Sequence, residues 1–535
     1  MSIDKETKYD RQLRLWASTG QSNLEKSHIC LINATSTGSE VLKNLILPGI
    51  GNFTIIDDAK VNINNLSSNF FLKKQDLNND LAISITKNLN ELNSDVHGTP
   101  IVKSLSSILA NEPDSFWDQF NVVITSDYTN HLQILINLLW AKQIPLFIVN
   151  TVGFYGSLNI ISNETTVIET HDPSKLYDLR IDKPWPELQA FADSFDLENL
   201  NDQDHAHVPY IVIFIKALDN WRSLNNGQVP VTYGDKKKFR AFVQSLSRNF
   251  QLETNFIEAD MAHLRPHQKT EIPNSIIQLI KISDEKQINE KTSIFWIFIS
   301  ALKSFLSKND NLLPLPGTLP DMASDTDNYI KLQRIYRDRA LKDQILFTEE
   351  VYHILDSIGR SRSEASSDAI QSFCKNARLL FATVGSRELI TSNLIDQFNN
   401  SFNLNDNGNG HENGGGGVTL DRLDSDEKHN LGIYFGLLTF NLFIEKYNRR
   451  PGIEDYIDFL GVYEEKISTH DIGPDTENIF KETLSHNSTN YHNLSSLMGG
   501  IVSQEVLKST TAQYIPLDNL FVFDGVHSKS ERFKI

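Results

Sequence analysis

The chain contains 535 residues, which is too many for one compact core, and at about 150 residues per domain it predicts three or four units. Its content of 40% hydrophobic and 10% aromatic residues excludes wholesale disorder. The net charge of −18 argues against a nucleic-acid partner and favours basic partners or simple solubility.

Cysteine usage and apolar stretches set further limits. The chain has two cysteines, Cys30 and Cys374, which excludes a disulfide framework and a zinc site built on paired Cys-x-x-Cys motifs. The opening residues show no apolar signal region, and the longest apolar stretches, such as residues 293–306, are too short to span a bilayer. We therefore expect a cytosolic or nuclear protein without a membrane partner.

The first 170 residues alternate between predicted strands and helices. Short apolar runs, typical of strands buried on both faces, occur at residues 28–34, 53–57, 99–103, 122–125 and 145–149. A helix with one apolar face is predicted over residues 39–47, and Ser36, Thr37 or Ser39 can cap its start. This β–turn–α–β spacing predicts an α/β fold with a Rossmann-like, doubly wound parallel sheet.

Helical periodicity dominates after residue 170, over residues 204–308 and 329–397. A run of Asn and Gly at residues 403–417 predicts a flexible, tolerated insertion. A helix over residues 495–509 and a strand over 520–523 return to the α/β pattern, and Gly499-Gly500 in that helix are expected to allow a close helix–sheet approach. The predicted organisation is a first α/β part over residues 1–170, a helical insert over 171–484 and a C-terminal return over 485–535.

The turn after the first predicted strand has one glycine where a nucleotide-binding turn needs several. It reads Ile32-Asn33-Ala34-Thr35-Ser36-Thr37-Gly38. Glycines allow backbone N–H groups to approach phosphates, so we expect the sheet to persist without a working phosphate loop. Asp57 stands about 20 residues further on, where it is either a ribose-binding acid or a simple turn former.

Motifs along nearly the whole chain resemble the family of ubiquitin-activating-type enzymes. They are Tyr9-Asp10-Arg11-Gln12-Leu13-Arg14-Leu15-Trp16, Leu47-Pro48-Gly49-Ile50-Gly51, Asn69-Phe70-Phe71-Leu72, residues 182–188 and 317–336, and Gln504-Glu505-Val506-Leu507-Lys508. The set resembles the regulatory, non-catalytic subunits of the activating enzyme for the modifier NEDD8, called Rub in fungi. The resemblance implies a pseudo-adenylation fold of the ThiF/MoeB type, with an insert similar to a catalytic-cysteine domain that lacks its cysteine.

The same resemblance implies that groups holding ATP in active family members are missing here. An acid, an arginine, a glutamine and a lysine of those members are replaced, in that order, by Ala59, Ser68, Asn69 and Leu81. A leucine cannot neutralise phosphate charge during adenylation. Asp127 matches a magnesium-binding aspartate in type, and without the other ligands we expect an ordinary strand-end residue. We therefore expect this subunit to bind neither ATP nor magnesium, which its partner would bind.

Thioester formation requires an exposed thiolate, which neither cysteine is expected to supply. Cys30 lies within the first apolar strand, where it is predicted to be a small buried hydrophobic residue. Cys374 has Lys375 and Arg378 nearby, which leaves a reactive role conceivable, but its surroundings do not resemble the nucleophile motif of the family.

Arg11 is the candidate catalytic residue. In the resembled family an arginine of the N-terminal helix crosses the dimer interface and reaches phosphates bound by the other subunit, in the manner of an arginine supplied in trans. The alternative is that Arg11 and Arg14 are solvated or paired with acids. The candidate interface residues are Arg14, Trp16, Asp321, Tyr329 and Lys331. Packing within the chain is the alternative for Trp16, and a solvated helix entry is the alternative for the segment that contains Asp321, Tyr329 and Lys331.

The resemblance implies two partners, namely a catalytic subunit that carries the nucleophilic cysteine and the NEDD8/Rub modifier. The predicted function is support of modifier adenylation and thioester formation on that subunit. Four alternatives stay open: the corresponding subunit of the SUMO pathway, a nucleotide-dependent Rossmann oxidoreductase, a self-sufficient activating enzyme that uses Cys374, and a pure scaffold in which Arg11 is idle.

Overall fold

The computed structural model describes residues 5–171, 177–400, 423–468, 472–486 and 491–535, and the predicted Asn/Gly loop at 403–417 lies outside these ranges. Two compact units divide the chain, fewer than the three or four predicted from its length. The first unit comprises Met1–Thr165 and Thr383–Ile535, and the second comprises Thr166–Ala382. Within the described ranges, every helix is too short or too polar to cross a bilayer.

The strands and helices of the described residues have the following bounds. The strands are β1 His28–Ile32, β2 Asn52–Ile56, β3 His97–Ile101, β4 Val122–Ser126, β5 Leu146–Val152, β6 Tyr155–Ile161, β7 Glu164–Val167, β8 Phe381–Val384, β9 Leu520–Asp524 and β10 Lys529–Phe533. The helices are α1 Lys5–Lys8, α2 Asp10–Glu25, α3 Ser36–Ile46, α4 Ile63–Ser68, α5 Leu81–Asn90, α6 Leu105–Asn111, α7 Leu132–Lys142, α8 Pro186–Asp193, α9 Asp202–His205, α10 Tyr210–Leu224, α11 Tyr233–Ser245, α12 Thr254–Met261, α13 Asn274–Glu285, α14 Ile294–Lys308, α15 Thr326–Ser357, α16 Ser367–Lys375, α17 Ser392–Asn400, α18 Ser425–Tyr447, α19 Tyr456–Lys466, α20 Pro474–Ser485 and α21 His492–Thr511.

Eight strands of the first unit form one sheet in the order β10-β9-β6-β5-β4-β1-β2-β3. Strands β1 to β5 are parallel, and β6, β9 and β10 each run antiparallel to their neighbours. The predicted α/β class with a doubly wound parallel sheet is confirmed. The prediction did not include β6 and β10. Gly156, Ser157 and Asn159 interrupt the apolar residues of β6, and four of the five residues of β10 are polar.

Both faces of this sheet are covered at its central strands. Ile29 and Leu31 of β1 pack into a cluster with α3, α5 and α21, whereas Cys30 and Ile32 pack into a cluster with α6 and α7 on the opposite face. Alternate residues of a strand point to opposite faces, so a continuous apolar run is what a strand covered on both faces requires. Because β1 to β5 are parallel, their carboxyl ends lie at one common edge of the sheet, and the turn after β1 lies at this edge.

The first unit is larger than the predicted first and last parts together. Helices α18, α19 and α20 pack against Val152 of β5, Tyr155 of β6, and Leu520 and Val522 of β9. Residues 383–484 lie within the range predicted for the insert, but they belong to the unit that contains the sheet. Periodicity identifies a helix but does not identify the partner that covers its apolar face.

The second unit is mostly helical, and the long helix α15 runs through both of its cores. Leu332 and Tyr336 near the start of α15 pack with α8, α10 and α12. Phe347 and Val351 further along pack with α13, α14 and α16. The chain enters this unit through β7 and leaves it through β8, and these two strands pair with each other.

Candidate functional site

The turn between β1 and α3 is held by side-chain hydrogen bonds. Asn33 adopts a positive φ of 65°, and its side-chain amide donates to the backbone carbonyl of Tyr128, 3.0 Å away. Thr35 caps α3 by accepting a hydrogen bond from the backbone N–H of Gly38 at 3.2 Å, and its hydroxyl also bonds to that of Ser126. The turn is thus tied to the segment that follows β4.

The hydroxyl groups at the start of α3 are buried and engaged. Ser36 Oγ donates to the backbone carbonyl of Ser68 at 2.6 Å, Thr37 Oγ1 donates to a hydroxyl of α21, and Ser39 Oγ donates to a backbone carbonyl at 2.8 Å. The predicted cap at Ser36, Thr37 or Ser39 is therefore wrong. Thr35 is the cap, and α3 begins earlier than predicted.

The single glycine of the turn serves packing. A Cβ atom on Gly38 would lie 2.9 Å from the Leu31 side chain and 3.2 Å from the Asn33 carbonyl oxygen, so a larger residue would displace α3 from β1. Carbon atoms in contact normally stay about 3.5–4.0 Å apart. Gly38 therefore seats the helix against the strand, and the bonded hydroxyls around it do not form an open phosphate cradle.

Asp57, at the end of β2, braces this turn. One carboxylate oxygen accepts the backbone N–H of Ala34 at 2.7 Å, and the other accepts the N–H of Ala59 at 2.8 Å. Burial raises the pKa of Asp57. Both oxygens are used by backbone donors, which supports the turn-forming interpretation over the ribose-binding one.

The substituted positions are built into the fold. Asn69 is buried, donates from its amide to Ser39 Oγ at 2.9 Å and accepts the backbone N–H of Phe71 at 3.0 Å. Leu81 is buried at the first position of α5. Neither Ser68, Asn69 nor Leu81 carries a positive charge, so these positions cannot neutralise a phosphate. Their side chains and the closed turn do not fit a bound nucleotide.

Asp127 follows β4 with a positive φ of 62°. Its Oδ1 accepts the hydroxyl of Thr151 at 2.9 Å and the backbone N–H of the same residue at 3.2 Å. These bonds connect the ends of β4 and β5.

Both cysteines are buried, and burial raises the pKa of each thiol. Cys30 lies inside the sheet, and Cys374 lies in the core formed around α14, α15 and α16. Asp343 adds to the effect of burial at Cys374. Neither cysteine presents an exposed thiolate to a partner. Lys375 and Arg378 are close to Cys374 in the sequence, but the pKa of its thiol is still raised.

The N-terminal helix α2 is kinked at Trp16 and Ala17, whose backbone angles are not helical. Two residues that follow α21 bond to the carbonyl groups at the kink: Gln513 donates to the Trp16 carbonyl at 3.0 Å, and the Tyr514 hydroxyl donates to the Leu15 carbonyl at 3.1 Å. The sequence carried no local signal for the kink, because its supporting residues are almost 500 positions away.

Trp16 is not available as an interface residue. Its side chain is 8% exposed, packs into the main core of the first unit and donates from Nε1 to Gln21 at 3.0 Å. The aromatic residue that was predicted at a dimer seam instead anchors the kink.

Arg11 lies on the first part of α2, before the kink, and is exposed. Among the described residues it makes neither a side-chain hydrogen bond nor an ion pair. Leu15, four positions later on the same helical face, is 53% exposed. Arg14 differs, because it pairs with Asp10 at 3.0 Å on the surface. Such exposed pairs contribute little stability.

The remaining interface candidates lie in the second unit. Asp321 and Lys331 are exposed, and Tyr329 is half-buried with its hydroxyl 3.4 Å from the Pro320 carbonyl oxygen. Asp325 caps the long helix α15 through the backbone N–H of residue 328. The acidic start of this segment therefore contributes a helix cap.

Gly499 and Gly500 do not act as predicted. A Cβ on Gly499 would lie 2.6 Å from Glu40 Cβ in α3, whereas a Cβ on Gly500 would meet no atom within 4 Å. The close approach is thus between two helices and involves one glycine. The prediction of a helix–sheet contact is wrong for both positions.

The sheet order and the turn between β1 and α3 define a protein of the adenylation-fold class. The ThiF family profile matches residues 9–535. The NEDD8-activating enzyme E1 regulatory subunit of Danio rerio is 32% identical, over 99% of this chain and 99% of that protein. The subunit of Gallus gallus is 33% identical (99% and 98% covered), and AXR1 of Arabidopsis thaliana is 32% identical (100% and 97%). The chain therefore belongs to the ThiF family and, within it, to the NEDD8-activating enzyme E1 regulatory subunits.

Proposed function

We propose that this chain is the non-catalytic half of a heterodimeric activating enzyme for a NEDD8-type modifier, and that it supplies Arg11 to the nucleotide site of its partner. The observation that carries the proposal is a contrast within one unit. Side-chain hydrogen bonds close the turn between β1 and α3 of this chain. Arg11, in contrast, is exposed on α2, whose kink is held by a hydrogen bond from Gln513.

Arg11 has the chemistry that this role requires. A guanidinium group is always charged and offers several N–H donors in a planar fork, which suits the oxygens of a phosphate. In the proposed dimer Arg11 would contact the phosphates of ATP on the partner and stabilise the charge that develops during adenylation. Leu15 beside it would contact the partner through its exposed side chain.

The partner would perform the chemistry that this chain lacks. It would bind ATP and magnesium, adenylate the C-terminal glycine of the modifier and transfer it to its own cysteine. The buried thiols of Cys30 and Cys374 favour this division over a self-sufficient enzyme. The engaged turn disfavours a nucleotide-dependent oxidoreductase. The names of the similar proteins favour the NEDD8 pathway over the SUMO pathway.

The test compares two arginines of one helix in the reconstituted heterodimer. We expect Arg11→Ala to lower the rate of ATP–pyrophosphate exchange by about 10²-fold, as removal of a donor at a developing charge does. Arg14→Ala should leave the rate near that of the wild type, because Arg14 pairs with Asp10 on the surface. Arg11→Lys should restore part of the rate, since lysine keeps the charge without the planar fork.

Two results would contradict the proposal. Unchanged exchange in Arg11→Ala would leave a scaffold in which Arg11 is idle, and exchange by this chain without a partner would show a nucleotide site of its own. Gel filtration of each mixture separates a loss of catalysis from a loss of assembly.

A further inference from the structure

A cluster of two histidines and an aspartate lies on the first unit, away from the turn after β1. His429 comes from α18, Asp524 is the last residue of β9, and His527 lies in the turn that leads to β10. One ligand atom from each of the three side chains lies within 4.8 Å of the other two. Asp524 Oδ2 is 3.2 Å from His429 Nε2 and 2.6 Å from His527 Nδ1.

The side chains around the cluster orient it. The Oδ2 atom of Asp475, in α20, is 2.8 Å from His429 Nδ1, so the other ring nitrogen of His429 is directed to Asp524. The backbone N–H groups of Val526 and His527 donate to Asp524 Oδ1 at 2.8 and 3.2 Å, which leaves Oδ2 for the two rings. A carboxylate on the far nitrogen of a histidine is the usual support of a metal-binding imidazole.

The burial and the charge of the side chains in this cluster are also suited to binding a cation. Asp524 is fully buried and His429 is half-buried, whereas His527 is exposed and leaves one side of the cluster open to water. With neutral imidazoles, the four side chains carry two negative charges, from Asp475 and Asp524. Two imidazoles, one carboxylate and an open position match the ligand set of four-coordinate Zn²⁺ sites that hold two histidines, one carboxylate and a water.

We propose that His429 Nε2, Asp524 Oδ2 and His527 Nδ1 bind a divalent transition-metal ion, best matched by Zn²⁺, with water as the fourth ligand. Ligand atoms of a tetrahedral zinc site lie about 3.4 Å apart, given metal–ligand bonds of about 2.0–2.1 Å. The separation to His429 is close to this value. The separation to His527 must open by roughly 0.8 Å, which an exposed side chain in a turn allows.

Binding exchanges protons for metal bonds. A ring nitrogen that donates to Asp524 in the metal-free chain loses its proton to solvent when it binds the ion, and the nitrogen of His429 that faces Asp475 keeps its proton. The ion would then join α18 to the β9–β10 hairpin at the edge of the sheet. This link would be independent of modifier activation.

The test uses the metal-free full-length chain and ZnCl₂, with a chromophoric chelator as competitor. We expect one zinc ion per chain, a rise in thermal midpoint that grows with zinc concentration, and a visible absorption band of four-coordinate Co²⁺ when cobalt replaces zinc. His527→Ala should weaken binding at least 10-fold and abolish the cobalt band, and Asp475→Asn should weaken binding with the three ligands intact.

His353→Ala, an exposed histidine of α15, is the matched control and should bind zinc as the wild type does. Equal zinc affinity in the His527→Ala variant, or the absence of stoichiometric binding, would overturn the proposal. His527 is exposed, so its replacement decides the question even where His429→Ala fails to fold. Because the readouts are binding and absorption, the outcome is independent of the role of Arg11.

Discussion

Gly499 and Gly500 are adjacent in α21, so replacing each with alanine makes the same chemical change in two different packing environments. A Cβ on Gly499 would lie 2.6 Å from Glu40 Cβ and 3.1 Å from the Glu40 carbonyl carbon in α3. A Cβ on Gly500 would meet no atom within 4 Å. We expect Gly499→Ala to destabilise the packing of α21 on α3 and Gly500→Ala to stabilise α21.

The magnitudes follow from these distances. Alanine is more favourable than glycine inside a helix by about 1 kcal/mol, and both variants gain this amount. A carbon–carbon separation of 2.6 Å falls about 1 Å short of normal contact, so α21 and α3 must move apart in Gly499→Ala. Overpacking of this kind costs about 1–3 kcal/mol. Gly499→Ala should therefore be less stable than Gly500→Ala by that amount.

Hydrogen exchange measured by mass spectrometry on peptides of α3 and α21 is the suitable assay. A chain with two compact units does not have to unfold in one step, so a thermal midpoint of the whole chain would report on both units together. Hydrogen exchange instead reports the free energy of local opening for each peptide. Slower exchange in Gly500→Ala and faster exchange in Gly499→Ala, relative to the wild type, are expected. Equal protection in both variants would refute the argument that the helix contact limits the side chain at Gly499.

Two further predictions concern buried ionisable groups. Cys30 and Cys374 should resist alkylation in the native chain because burial raises the pKa of both thiols, and mass spectrometry should count two labels only after denaturation; rapid labelling of either native thiol would contradict this. Burial alone would raise the pKa of Glu253, but hydrogen bonds from Ser247, His205 and the backbone N–H groups of Arg248 and Asn249 hold it below the usual value of 4.5. Its stabilising contribution is therefore complete above pH 4.5 and is lost as pH falls through the lower folded pKa. We expect the protection factors of the α12 amides, the ratios of intrinsic to observed exchange rates at each pH, to fall on acidification and to fall less in Glu253→Gln.

Local patterns in the sequence predicted the parallel strands of the sheet and led to the expectation that this chain binds no nucleotide. Strands β1, β2, β4 and β5 were predicted because apolar runs such as residues 28–34 are typical of strands that are covered on both faces. Strand β3 was also predicted, but its residues are partly or fully exposed. The missing glycines and the residues Ser68, Asn69 and Leu81 were evident without coordinates, because they are replacements at positions of a recognised motif. Both inferences depend on residues that are close together in the chain.

Contacts between distant residues were decided only by the tertiary structure. Thr35 was not predicted as the cap of α3, since neighbouring hydroxyls are equally suited locally and their bonds to Ser68 and α21 exclude them. Trp16 is buried because α2 is kinked at this residue, and the kink is held by a hydrogen bond from the distant Gln513. The helical pattern of the sequence does not reveal this kink. His429 and Asp524 meet across 95 positions. Periodicity shows which face of an element is apolar, but the partner that covers that face is chosen by packing of the whole unit.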